Sequence, residues 1–324
     1  MDIQDKLAKQ KKKIGSTPLY ELFLPGDFPN GNRVFAKAEF INPSGSHYDR
    51  IYLKLFEKEQ EQLAKADYAV EVSSGNAGAS FAWFCKQVGL KCKVILPEGL
   101  PRGFGGNIRR LNPAAQITFS DQDYLKGAVR QLREELAQGK KSGKNIYCPN
   151  HSRKEETLEA TEEIASESIN QLRDDFGVNK IDCFVAACGN GATIIGPARV
   201  LKRAFNVKVV AFEPDSAPVG SIAKHVSTGE VFAPHKLFGT GAYGIDFPFI
   251  HNETYRFGKL VDKIVLVDSQ RLAAARHLRF KLGLDVGYTS LVALNIVFEM
   301  MEKTTNRIFL IIFYDRGDKY EWLD

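Results

Sequence analysis

No stretch of this chain approaches the roughly 20 consecutive apolar residues that a membrane span requires, and residues 1–15 lack the apolar middle of a secretory signal. Both absences point to a cytoplasmic protein with no membrane partner. Cysteine is scarce as well. The five residues Cys85, Cys92, Cys148, Cys183 and Cys188 form no CxxC pair and make an odd count, which argues against a disulfide frame or a zinc site and for reduced, mostly buried thiols. No metal is expected. Charge of either sign is barely in excess, with 44 Lys and Arg against 39 Asp and Glu and a net charge of +5. Much of that excess sits in the cluster from Lys9 to Lys13, which reads as a solvated, frayed terminus rather than a nucleic-acid contact.

What is present is the composition of a globular protein, 44% hydrophobic and 26% charged over 324 residues. That length suffices for two lobes, or for one large α/β domain with a smaller one inserted. Short apolar runs alternate with amphipathic ones. Strands are predicted at 34–40, 68–72, 92–97, 117–119, 181–187, 207–212 and 263–268, and helices at 49–66, 79–88, 104–111, 124–138, 155–174 and from 290 to about 302. Pro25-Gly26-Asp27 and Pro29-Asn30-Gly31-Asn32 form a turn-rich link before the first of these strands. Alternation of this kind describes a parallel sheet with helices on its faces.

The stretch that organises the rest is Asn42-Pro43-Ser44-Gly45-Ser46-His47-Tyr48-Asp49-Arg50, a polar turn between a strand and an exposed helix start. Taken alone it is compatible with a plain helix cap. Two later loops have a similar grammar. Ser73-Ser74-Gly75-Asn76-Ala77-Gly78 and Cys188-Gly189-Asn190-Gly191-Ala192-Thr193 each follow a strand and open a helix, which leaves backbone N–H groups facing outward where a carboxylate or phosphate can sit. Any strand-to-helix turn favours Ser, Gly and Asn, so both loops also admit a reading without an anion.

Together with Ile14-Gly15-Ser16-Thr17-Pro18-Leu19, Ala36-Lys37-Ala38-Glu39, Pro234-His235-Lys236, Gly239-Thr240-Gly241 and Asp315-Arg316-Gly317-Asp318-Lys319-Tyr320, these stretches occur in one order. In that order the chain resembles the cysteine synthase and cystathionine β-synthase branch of the pyridoxal-phosphate enzymes, from Ile14 to about Tyr320. The resemblance implies fold type II, the tryptophan synthase β-like arrangement: α/β, with two open, mostly parallel twisted sheets flanked by helices. A smaller substrate-side domain is expected at 46–147 and a larger cofactor-side domain at 1–45 and 148–324, with the ligand cleft between them at the carboxyl ends of the strands.

The resemblance also assigns roles. The loop Gly189, Asn190, Gly191, Ala192 and Thr193 would wrap the cofactor phosphate, although the family pattern Gly-Thr-Gly-Gly-Thr is kept only at Gly189, Gly191 and Thr193. Asn76 would contact the ring oxygen, and Thr289 in Gly287-Tyr288-Thr289-Ser290 the ring nitrogen, where a neutral hydroxyl suits elimination chemistry; Thr289 reads equally as a helix cap. Ser73, Ser74, Gly75 and Ala77 would hold the substrate carboxylate, and Gly241 would lie beside the ring. His151 stands where the family has a glutamine facing the substrate, and as a lone residue it reads as an exposed loop histidine. Glu98 to Gly106 departs from the family's segment and loosens a helix start.

One departure outweighs these. The family turn reads Ser-x-Lys-Asp-Arg, with its lysine as the Schiff-base anchor and later the base for the α-proton, whereas Ser46-His47-Tyr48-Asp49-Arg50 places Tyr48 there. A phenol forms no imine, and near pKa ~10 it is a poor base at neutral pH. Lys37 matches a second family lysine and is structural, while Lys54, six helical positions on, is about 9 Å of rise away. Pyridoxal phosphate, if bound, would then be held noncovalently. The sequence therefore supports a catalytically impaired homologue that binds a small amino-acid or phosphorylated ligand, as the homodimer the family implies. The alternative is an active lyase or β-replacing transferase of cysteine or serine metabolism that uses noncovalently held cofactor.

Overall fold

The apolar runs pair into two sheets in a computed structural model that describes residues 2–23, 30–120, 124–220, 235–242 and 245–320. Pro25 to Asp27, Pro29, Pro234, Tyr243 and Gly244 lie outside the described residues. In chain order the strands are β1 (Leu19–Glu21), β2 (Arg33–Ala38), β3 (Tyr68–Val72), β4 (Cys92–Leu96) and β5 (Gln116–Phe119). They continue as β6 (Ile146–Tyr147), β7 (Cys183–Ala187), β8 (Lys208–Pro214), β9 (Lys263–Val267) and β10 (Ile308–Phe313). Helices of the first half are α1 (Ile3–Lys11), α2 (Tyr48–Lys58), α3 (Gln60–Lys65), α4 (Asn76–Val88), α5 (Arg102–Leu111) and α6 (Tyr124–Lys141). The second half adds α7 (Glu155–Phe176), α8 (Ala192–Ala204), α9 (Pro248–His251), α10 (Phe257–Leu260), α11 (Ser269–Leu282) and α12 (Tyr288–Met301). Among the described residues no helix is long and apolar enough to cross a membrane.

The chain divides into two compact units: 1–15, 42–157 and 318–324 form one, and 16–41 with 158–317 the other. The first unit contains the span 46–147 and adds α1 and the residues after Gly317. Its sheet has the order β5-β4-β3-β6, all parallel. Its inner strands β3 and β4 are buried on both faces and need little alternation in their sequence, whereas the edge strand β5 leaves Phe119 exposed. One face of the sheet carries α6, whose Leu132 and Leu136 pack against Val70 and Ile95. Elsewhere in the unit α2 meets α4 through aromatic contacts, Phe56 with Phe84 at 5.3 Å and Tyr52 with Phe81 at 5.7 Å between ring centroids.

The second unit is built on the order β1-β2-β10-β7-β8-β9, parallel except where β1 runs against β2. Strand β10 is central, with Leu310 opposite Phe35 on one side and Phe184 on the other. All six of its residues are buried. Lys37 of β2 is also buried, and its ammonium is committed to Glu167 at 2.8 Å, Gln171 Oε1 at 2.7 Å and the Thr17 carbonyl at 2.6 Å.

Three sequence expectations are corrected. The N-terminus is helical rather than frayed, because Asp2 caps α1, Leu7 is buried, and Lys6 and Lys11 are tied to the Val88 carbonyl and Glu57. The expected helix 49–66 breaks at Glu59, whose carboxylate is taken by Tyr147 Oη at 2.8 Å and by Lys154. The helix start at Tyr48 is not an exposed one: Ser44, Ser46, His47, Asp49 and Arg50 around it are all buried.

A pH test arises from His235 in the second unit, where burial pushes the imidazole down to about 4. Between the unfolded value near 6.5 and 4, the unfolded chain binds a proton that the folded chain refuses, so stability is full above the window and falls as pH drops through it. The expected loss between pH 7 and pH 4 is roughly 3 kcal/mol. His235→Gln should remove that increment, read as the change in urea midpoint between the two pH values; an unaltered pH slope would refute it.

Candidate functional site

In the first unit the turn ahead of α2 is held from inside. The buried Asp49 carboxylate accepts the Ser44 N–H at 2.7 Å, the Ser80 hydroxyl at 2.5 Å and the Ser44 hydroxyl. Ser46 is also buried, yet its Oγ has no hydrogen-bond partner among the described residues, and a polar atom left so is costly unless a ligand or water meets it. Tyr48, the first residue of α2, is only half-buried. Its ring stacks obliquely on His47 at 4.3 Å and meets His151 edge-on at 5.5 Å. Burial of the hydroxyl and the nearby Glu71 carboxylate push its pKa up to about 12, so the phenol keeps its proton at neutral pH.

The loop between β3 and α4 is shaped by Ser73, whose Oγ accepts the N–H groups of Gly75 at 2.9 Å and Gly78 at 2.6 Å. Gly75 has φ +141°, and a Cβ there would lie 2.6 Å from the Phe104 ring, so no other residue fits. Ala77 is buried behind the loop, while Ser74 and Asn76 remain partly exposed. Asn76 Oδ1 accepts from Lys319 Nζ at 2.6 Å. His151 lies in the same unit, and its Nδ1 is 3.2 Å from Glu71 Oε2 and 3.2 Å from Tyr52 Oη. Glu71 is buried within β3; its Oε2 also accepts from Tyr52 Oη at 3.3 Å and its Oε1 from the Val72 N–H at 3.0 Å. The fold thus brings Tyr48 and His151 together.

In the second unit the loop after β7 turns on Gly191, with φ +94°, into α8. Asn190 Oδ1 accepts the Ala192 N–H at 3.0 Å. The N–H groups of Gly189, Asn190 and Gly191 have no acceptor among the described residues, which suits an anion. A Cβ at Gly189 would lie 2.8 Å from the Gly239 carbonyl, and one at Gly191 2.8 Å from Ile250 Cγ1, so the cradle requires both glycines. Thr193 is the second residue of α8 beside them. Gly241 donates its N–H to the Cys188 carbonyl at 2.9 Å, and a Cβ on it would strike Ala217 and Pro214. Thr289 lies inside the first turn of α12, which Gly287 caps, and its Oγ1 donates at 3.4 Å to the Phe238 carbonyl. It is therefore not the helix cap.

Glu71 and Tyr52 carry no motif, and reading for motifs passes over them; Lys319 stands in the run Asp315 to Tyr320, which gives no sign of its bond to Asn76. Two signals mark the first pair: Glu71 is a charge inside an otherwise apolar strand, and Tyr52 follows Tyr48 by four positions on one helix face. All five cysteines are free thiols. Among the described residues no group of three or more His, Cys, Asp and Glu is placed to hold a metal ion.

Residues 11–314 match the model of one family, described as pyridoxal-phosphate dependent enzyme. A cysteine synthase of Staphylococcus aureus is 32% identical over 232 residues, 71% of this chain and 69% of that protein. Cysteine synthase B of Campylobacter jejuni is 28% identical over 320 residues, 96% of each. Among solved structures, a hydrogen sulfide-producing enzyme from Fusobacterium nucleatum superposes with a TM-score of 0.81 at 26% identity, over 96% of this chain and 99% of that one. An O-acetylserine dependent cystathionine β-synthase from Helicobacter pylori does so with 0.79 at 25%, over 97% of each.

Proposed function

Because the chain belongs to the pyridoxal-phosphate dependent enzyme family, we propose that it is a cysteine-synthase-like member in which Tyr48 occupies the place of the anchoring lysine. It binds a small amino-acid or phosphorylated ligand, holds its cofactor noncovalently, and has lost the ordinary lysine-dependent replacement reaction. The observation that carries this reading is Tyr48 itself. It heads α2 in a buried turn, and with its pKa pushed up to about 12 it is neither an amine nor a base at neutral pH.

The residues present fit the cofactor. The N–H groups of Gly189, Asn190 and Gly191, with Ala192 and Thr193 behind them, offer the phosphate a cradle that any Cβ at the two glycines would obstruct. Asn76 would meet the ring oxygen and Thr289 the ring nitrogen. Ser74 and the N–H groups that follow it, with His151 and Gly241, would hold the amino acid, while Ser73, Gly75 and Ala77 give that loop its shape. Pyridoxal phosphate, when bound, supplies a conjugated ring able to accept an electron pair from the amino acid's α-carbon. Ser46 Oγ, buried and without a partner among the described residues, would gain a hydrogen-bond partner from a ligand seated at the turn.

Purified protein mixed with pyridoxal phosphate should bind it, release it on dialysis, and give no covalent adduct after borohydride. O-acetylserine with sulfide should yield no cysteine. A borohydride-stable adduct on any lysine, or turnover of O-acetylserine, would sink the proposal. The second reading, a lyase or transferase that works with noncovalent cofactor, is favoured by one observation: His151 rests on a buried carboxylate, which gives the site a candidate base other than lysine.

A further inference from the structure

A buried carboxylate, an imidazole and a phenol meet in the first unit, and the reading above gives Glu71 and Tyr52 no part in binding. Glu71 in β3, Tyr52 in α2 and His151 in the loop after β6 lie 3.2–3.3 Å apart around one carboxylate oxygen. Glu71 Oε1 is occupied by the Val72 N–H, so Oε2 alone faces His151. The Tyr52 hydroxyl, raised well above its ordinary value by burial and by Glu71, remains a proton donor to that oxygen. Two donors converge if the imidazole proton is on Nδ1. That tautomer leaves a lone pair on Nε2, which has no hydrogen-bond partner among the described residues and belongs to a side chain that is not fully buried. The same ring packs perpendicular to that of Tyr48, 5.5 Å between centroids. A histidine oriented through one nitrogen by a carboxylate, with the other nitrogen open, is the arrangement of a general base.

We propose that His151 is the proton-transfer residue of this site, acting through Nε2 on the α-proton of a bound amino acid, with Glu71 and Tyr52 as the positioning residues that hold its tautomer and aim. The inference rests on the preceding reading only in placing an amino acid and pyridoxal phosphate beside Tyr48. In the step, the Nε2–H bond forms as the Cα–H bond breaks. The electron pair left on Cα would be accepted by pyridoxal phosphate condensed through its aldehyde with the amino group, one water having been lost, and return of the proton restores the starting material. No product is required, so proton exchange is compatible with loss of the replacement reaction. In deuterated water the returned atom is deuterium.

The substitution Glu71→Gln tests the tautomer by geometry. A backbone N–H cannot turn into an acceptor, so the amide oxygen must stay on Val72 and the amide nitrogen must face Nδ1. His151 is then forced to accept at Nδ1 and carry its proton on Nε2, which removes the base while preserving the shape.

The experiment uses the full chain with L-alanine and pyridoxal phosphate in deuterated buffer, following loss of the Cα–H signal by proton NMR, and separately reads the His151 tautomer by 15N NMR without cofactor. Wild type should show the Nδ1–H form and exchange above the free-cofactor background. His151→Gln and Glu71→Gln should both lower protein-dependent exchange by about 10²–10⁴-fold, Glu71→Gln also moving the tautomer signal. An Nε2–H wild type, or exchange that survives His151→Gln, overturns the proposal. So does cofactor binding, seen by absorbance, without any exchange, although that result leaves the noncovalent-binding reading standing. Absence of cofactor binding overturns both.

Discussion

Tyr48→Lys should take up pyridoxal phosphate covalently, with a visible absorption band and, after borohydride, a pyridoxyl adduct that mass spectrometry maps to position 48. The side chain starts at the head of α2 beside His47 and His151, where an amine has a rigid base and a half-open path. Glu71 acts on whatever stands there. Its carboxylate raises the Tyr48 phenol, and by the same field it would hold a new lysine as ammonium, which is not nucleophilic, while burial opposes that. Colour should therefore develop faster as pH rises. Replacement activity toward O-acetylserine should appear at about 10²–10⁴-fold above the background of free cofactor, the usual worth of a restored base. A variant that folds, binds the cofactor and stays colourless would show that more than one side chain separates this site from an active one.

The loops that would hold the ligand were legible in the sequence because their backbones demand particular residues. Gly75 and Gly191 sit at φ +141° and +94°, where side chains are strained, and strand-to-helix turns of this kind advertise themselves by composition. A parallel sheet covered by helices could likewise be read from alternation of strands and helices, and its division into two sheets from the family resemblance. What was not legible depends on distant partners. The break at Glu59 is made by Tyr147 and Lys154, 88 and 95 residues further on, and the pairing of Glu71 with His151 spans 80 residues. Ile308 to Phe313 hides for another reason: a strand covered on both faces shows no alternation, and six consecutive apolar residues fit a buried helix as well.

Asp49→Ala should give the largest loss of stability, about 3–5 kcal/mol of a total that for a domain is usually about 5–15. The change leaves three buried donors, the Ser44 N–H and the Ser44 and Ser80 hydroxyls, without the acceptor they share. Asp49→Asn is the informative companion. Its amide oxygen can stay on the backbone N–H of Ser44 while its nitrogen donates to the two hydroxyls, which rotate to accept. The expected cost is then about 1–2 kcal/mol, the loss of charge assistance alone. Urea midpoints of the two variants measure the difference. Equal losses, or a loss below about 1 kcal/mol for the alanine, would show that the turn is held by something else.

The central place of β10 in the larger sheet has a consequence for how the protein is made. Strand β2 leaves the ribosome early, yet the neighbour on its inner side arrives roughly 270 residues later, on the order of 15–50 s at ordinary translation speeds. Until then the facing edges of β2 and β7 are open, apolar and able to pair with another nascent chain. Newly synthesised protein should thus lean on holding chaperones for most of its birth, and slower elongation would lengthen that dependence.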